Sequence, residues 1–331
     1  MPTLPVRGHN LPDAAALAQT LGGLSHQAPV VVMIHGFGYD PSDPAGDPHL
    51  HILALRPARR WWGAVSWPRR LGLVDREGLG VAWGWPARGT IWAANAQAAA
   101  EGRRLAGFVK ALRAGSGERP VHVIAHSLGA RVVIAAMGHL GPGDIQRVIL
   151  LAPALSSVEA RRACRSPAGR TAEFVNVTGR ENRLFDLLLL LALPHQGRRL
   201  GRKSVDARNW LELPLDNPGT REALARLGWR IPPSRAKVCH WSGYLRPGVW
   251  RLYRDLLLRP SETPLSWLSG ASRVPPPAGA PGQDGRIQGR AAGPAPHRRA
   301  PAPEPAPALN RSGPVPYAAH AVAQHPASRP G

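Results

Sequence analysis

Five consecutive apolar residues, Val30 to Ile34, open a series of short apolar runs separated by glycine, proline and polar residues. Runs without alternation are what strands buried on both faces look like. Others stand at Val81 to Pro86, where the proline stops the strand, at Val121 to Ala125, interrupted only by His122, and at Val148 to Pro153, Phe174 to Thr178 and Trp210 to Leu213. Between them the period changes. Ile91 to Leu112, with Leu105, Phe108, Val109 and Leu112 at helical spacing, predicts an amphipathic helix ended by Gly115-Ser116-Gly117. A second helix follows the Val121 run to about Leu140 and stops at Gly141-Pro142-Gly143; a last covers Val249 to Leu258, with Trp250, Tyr253, Leu256 and Leu257 on one face. Strand and helix in alternation predict an α/β fold: a mostly parallel central sheet with helices on both faces.

The flanks read differently. Residues 1–27 form an N-terminal extension with a short helix over Asp13 to Leu21, and residues 28–265 the α/β domain. Within it, residues 40–80 form an irregular insertion, expected to be part of a cap. Trp61, Trp62, Trp67, Trp83, Trp85 and Trp92 are expected in core and lid packing, with some lining an apolar acyl pocket. From Ser266 to Gly331 the chain is rich in Pro, Ala, Gly and Arg without apolar periodicity, a composition too poor in burial to offset its ordering entropy; a disordered tail is expected.

Composition adds exclusions. Lys and Arg number 42 against 21 Asp and Glu, a net charge of +21, with lysine only at Lys110, Lys203 and Lys237. The arginines are scattered and accompany a general Ala/Gly/Pro/Arg excess, so the charge reads as chain-wide bias; no nucleic-acid motif is visible and no such partner is expected. Two cysteines, Cys164 and Cys239, make neither a disulfide framework nor a metal-ligand spacing and suggest a reducing compartment. The run Leu187 to Leu193 is far shorter than the roughly 20 apolar residues a membrane span needs, and the N-terminus lacks a secretion pattern. A cytoplasmic location is expected. Asp47, His49 and His51 raise the question of a metal, but such residues in a Pro-rich loop are far more often solvated, so no metal or cofactor is expected.

The candidate chemistry lies after the Val121 run, in Ala125-His126-Ser127-Leu128-Gly129. Small residues flank a serine between a strand and a helix, as a sharp turn requires, and the hydroxyl is pushed out beyond the strand end with the Leu128 amide at the helix start. His35-Gly36-Phe37-Gly38 ends the first strand and frees an amide, that of Phe37, to donate to a negative oxygen. The serine turn resembles the nucleophile elbow of the α/β-hydrolase family, with Ala125 in place of the first glycine of Gly-x-Ser-x-Gly, and the His-Gly-Phe-Gly loop resembles its oxyanion loop. The resemblance covers roughly residues 28–260.

That resemblance implies a Ser, acid, His order along the chain. His240, in the His-Trp-Ser-Gly-Tyr loop after the last strand, is the implied base; His195, His297, His320 and His325 are poorly placed. The position of the acid in Gly-x-x-Asp falls on Gly179-Arg180-Glu181-Asn182, so an asparagine stands where a carboxylate is expected. Glu181 is favoured as the acid, then Asp186, with Asp216 third, while Asn182 itself can orient an imidazole without charge. Phe37 and Leu128 are the implied oxyanion donors, and His126 and Trp241 line the pocket. The function implied is a serine hydrolase of carboxylic esters, lipid-like or thioester, acting on a small acyl substrate. A catalytically inactive binding protein of the same fold, or a binder of anionic surfaces or nucleic acid through the Arg-rich tail, are the alternatives. The oligomeric state is not readable from the sequence.

Overall fold

The computed structural model describes residues 3–7, 10–58, 65–74, 77–116, 119–193 and 205–272. Seven strands form one parallel sheet: β1 (Thr3–Arg7), β2 (Val30–Ile34), β3 (Leu79–Gly84), β4 (Val121–His126), β5 (Arg147–Leu151), β6 (Glu173–Thr178) and β7 (Trp210–Pro214), in the order β1-β3-β2-β4-β5-β6-β7. The helices are α1 (Ala14–Gly22), α2 (Trp67–Arg70), α3 (Ile91–Ser116), α4 (Gly129–Met137), α5 (Ser157–Arg165), α6 (Pro167–Thr171), α7 (Arg183–Ala192), α8 (Pro218–Arg226), α9 (Ser242–Leu245), α10 (Val249–Leu258) and α11 (Leu265–Ser272).

Because side chains alternate along a strand, each central strand feeds two cores. Val30, Val32 and Ile34 of β2 and Val121, Val123 and Ala125 of β4 pack on one face with Leu105, Phe108 and Val109 of α3 and Val132 and Val133 of α4. Val31, Met33 and Ile124 face the other way, onto Trp250, Tyr253, Leu256 and Leu257 of α10. Burial on both faces explains the unbroken apolar runs. Chain direction then locates a crevice: from β2 the chain moves outward to β3, from β4 it moves the opposite way to β5. The carboxyl ends of β2 and β4 therefore diverge at a topological switch point, where open α/β sheets hold their ligands.

Three features depart from the sequence pattern. β1 pairs with β3, although its Thr-Leu-Pro-Val-Arg run carries no buried-strand signature, because an edge strand buries little; Val6 is its one fully buried residue. Part of the 40–80 insertion is core: Ile52, Leu53, Trp67, Leu71 and Leu73 are buried in the α10-side cluster, where the Trp67 ring lies 5.4 Å from Tyr244 and 5.8 Å from Trp250. Trp61 and Trp62 lie outside the described residues. Packing also continues past residue 265, since α11 contacts β7 and α8 and buries Leu265 and Leu268; residues 273–331 of the expected tail are outside the described residues.

Candidate active site

β4 ends at a turn in which Ser127 takes a left-handed backbone (φ 52°), and Ala152, just after β5, does the same (φ 44°). Non-glycine residues rarely occupy this region, at a cost of about 1–3 kcal/mol each, and the surrounding hydrogen bonds hold it. The Ser127 amide donates to the Leu151 carbonyl (2.9 Å), while the Ser127 carbonyl accepts from Ala130 (3.1 Å) and Ala154 (3.0 Å). The serine is thereby tied to the end of β5 as α4 begins. Two glycines bring the β2 loop against it. A Cβ on Gly129 would lie 2.4 Å from the His35 carbonyl oxygen, and one on Gly36 would lie 2.9 Å from Ser127 Cβ. Ala125, where the family pattern has glycine, fits because its methyl packs into the α3-side core.

The β2 loop is held by its histidine. His35 Nε2 accepts from the Trp85 amide (3.1 Å), so the proton of the neutral ring sits on Nδ1, which donates to the Gly36 carbonyl (2.8 Å). Burial drives its pKa down to about 3, and the ring stacks on Trp85. Gly38 donates to the Ala87 carbonyl (2.7 Å) and Ala87 to that of Tyr39 (2.8 Å). Among the described residues, no acceptor takes the amide N–H of Phe37 or Leu128.

His240 arrives from the far side of the sheet, after β7. Its ring lies 4.6 Å from that of His126 and stacks on Phe185 at 4.7 Å, with Trp241 6.1 Å from Phe185. His126 Nε2 donates to the His240 carbonyl (3.1 Å), so the residue just before the serine clamps the loop carrying His240. Burial pushes the His240 pKa well below the usual histidine value, with His126 adding to the effect; His126 itself is driven down to about 4 by burial. Both rings are neutral near pH 7. His240 Nδ1 lies 2.6 Å from Asn182 Oδ1, and Asn182 Nδ2 donates to Asp186 Oδ1 (2.8 Å). With Nδ1 as donor, Nε2 of His240 keeps its lone pair.

Glu181, favoured from sequence as the partner of this histidine, is engaged elsewhere. Its buried carboxylate accepts from the Ser242 hydroxyl and pairs with the buried Arg246 guanidinium, which also donates to the Leu215 carbonyl (2.6 Å). The reason is local. Arg180–Asn182 is a 3-10 turn, so successive side chains point about 120° apart, Glu181 toward Arg246 and Asn182 toward His240. The Glu181 carbonyl accepts from Cys239 (2.9 Å), joining this turn to the His240 loop. A Cβ on Gly179 would lie 2.7 Å from the Glu181 carboxylate, which would have to shift to make room. Asp186 reaches Asn182 and not the imidazole, and Asp216 pairs with Arg180 (3.1 Å). His195, His297, His320 and His325 lie outside the described residues.

The residues weighed for a metal are each committed to structure. Asp47 accepts from the His49 amide (2.8 Å) and pairs with Arg7 (2.6 Å), His49 Nε2 lies 3.2 Å from the Val6 carbonyl, and His51 meets Tyr39 edge-on. Beside Asn182 lies a cavity of about 210 Å³, lined by Ala152, Pro153, Thr178, Gly179, Asn182, Arg183 and Asp186. α7 borders it and leaves Leu184, Leu187, Leu188, Leu190 and Leu191 37–68% exposed. Sequence reasoning read this leucine run only as too short for a membrane; its exposure beside the site was carried by no signal in the run itself.

The sheet order, the strained serine turn and the converging loops define a class, and a comparison of sequences agrees. The family model described as serine aminopeptidase, S33, matches residues 102–187, a span from α3 into α7 that includes Ser127, Asn182 and Asp186. Together with the seven-stranded parallel sheet, this match is consistent with an α/β-hydrolase fold. No curated protein sequence matches it. Among the described residues, no helix is long and apolar enough to cross a membrane.

Proposed function

We propose that the protein is a serine hydrolase that cleaves carboxylic esters through an acyl-enzyme. Ser127 attacks the acyl carbon while His240 Nε2 takes the hydroxyl proton and returns it to the leaving group. The amides of Phe37 and Leu128 donate to the oxyanion, each worth about 3 kcal/mol of barrier in sites of this kind. Water then releases the acyl group by the same route. Asn182 Oδ1 holds the Nδ1 proton and meets the developing imidazolium with a dipole in place of a full charge.

The observation that carries this reading is the placement of His240, its Nδ1 held by an amide oxygen and its loop clamped to the residue before the strained serine. An apolar acyl group is the better substrate, since Phe185 and Trp241 stand against the His240 ring and α7, which borders the adjoining cavity through Arg183 and Asp186, carries exposed leucines. A second reading, a non-catalytic binding protein, is favoured by one observation: Asn182 where a carboxylate is usual. A fluorophosphonate probe separates them. Labelling of the wild type that disappears in Ser127→Ala is expected, and a folded wild type that takes no label sinks the hydrolase. Hydrolysis of p-nitrophenyl esters of increasing chain length then reads the acyl preference.

A further inference from the structure

We propose that Asp186 is a positioning residue for this reaction, acting through Asn182: its carboxylate fixes which end of the Asn182 amide faces His240 and so fixes the tautomer of the base. The proposal rests on the hydrolase reading above.

An amide side chain has nearly the same shape either way round. If Asn182 presented its NH2 group to the ring, His240 Nδ1 would have to accept, and the imidazole proton would move to Nε2. A ring protonated at Nε2 has no lone pair there with which to take the serine proton. A carboxylate removes the ambiguity because it only accepts. Asp186 Oδ1, 2.8 Å from Asn182 Nδ2, takes the NH2 end, which leaves Oδ1 facing His240 Nδ1 at 2.6 Å. The two residues stand four apart, on either side of the start of α7, where side chains at that spacing meet. The negative charge one hydrogen bond away also polarises the amide, so the oxygen on the imidazole carries more of it.

The plainer account makes Asp186 a first-turn acid that steadies α7 through its dipole. The two accounts part in combination with Asn182→Asp. That variant puts a carboxylate directly on the imidazole and turns Asp186 from an orienting acceptor into a like charge beside it. Asp186→Ala is therefore expected to lower kcat by about tenfold or more in the natural background, with KM little changed, and to raise kcat in the Asn182→Asp background. Asp186→Asn, which keeps the size and one acceptor oxygen, is expected to lie between the wild type and Asp186→Ala, and substitutes for it where alanine perturbs the helix. Equal losses in both backgrounds, or a loss confined to KM, overturn the proposal.

A readout independent of turnover keeps this distinct from failure of the hydrolase reading. Nitrogen NMR of the labelled His240 ring should show the proton on Nδ1 in the wild type and a tautomer mixture in Asp186→Ala. An unchanged tautomer in that variant overturns the role of Asp186 even if Ser127 labels. A shifted tautomer in a protein that does not label supports the relay and rejects the hydrolase.

Discussion

At the scale of single residues, small size decides where two loops meet. Gly36 has no Cβ because Ser127 Cβ occupies that space, and Gly129 has none because the His35 carbonyl does. Gly36→Ala should therefore push the β2 loop off the serine and move the Phe37 amide, lowering kcat by about 10²-fold or more, as loss of an oxyanion donor does. The fold should persist, so an unchanged circular dichroism spectrum with collapsed hydrolysis of p-nitrophenyl esters is the expected pair of results; full activity would remove Phe37 from the proposed oxyanion role. The turn that carries Ser127 and the loop that carries His240 were legible in the sequence as places in the fold, because strand, turn and chain order constrain them. The partner of His240 was not, because adjacent residues of a 3-10 turn point in different directions and a sequence does not say which.

At the scale of elements, Glu181 joins the turn before α7 to α9, through Ser242 and Arg246. Both charges are buried, so removing one leaves the other without compensation. Glu181→Ala is expected to destabilise the protein by about 3–5 kcal/mol in denaturant titration, the order found when buried pairs are broken. Activity should fall with it, through displacement of the His240 loop, and Arg246→Ala should do the same. A Glu181→Ala protein of wild-type stability with impaired kcat would instead make Glu181 part of the chemistry. β1 and α11 belong to this scale too. Neither has a strong pattern of its own, and each becomes an element by packing against one already formed: β1 on the edge of β3, α11 across α8 and β7.

At the scale of the whole molecule, the two cores enclose histidines that stay neutral in acid. His35 and His122 are driven to about 3 and His126 to about 4, with burial the main cause in each. Their unfolded value is 6.5, so below that pH the unfolded chain binds protons the folded one refuses. Stability must fall as pH drops from about 6.5 toward the folded values. Glu212, half-buried beside Trp210 and Asn176, works the opposite way: its pKa is raised from 4.5 to about 7, so its contribution falls as pH rises through that window. Three histidines outweigh one glutamate, and a net acid loss is expected. His122 offers the test, since neither ring nitrogen has a hydrogen-bond partner among the described residues. His122→Leu should flatten the acid limb by about one proton and gain most at about pH 5, measured by urea unfolding at about pH 5 and about pH 8. An unchanged slope would mean that His122 does not resist protonation in the folded protein.

The sequence by itself determined the parallel sheet and its serine turn. Apolar runs with helical segments between them admit few other arrangements, and a serine flanked by small residues at a strand-to-helix junction is a local constraint written in adjacent positions. What only the tertiary structure decided is which polar groups meet across the sheet ends. His240, Asn182 and Asp186 come from separate loops and a helix start, and His126 reaches the His240 carbonyl across 114 positions of chain. Hydrogen bonds are short-ranged and directional, so their partners are chosen by the final packing and leave no periodic trace in the chain.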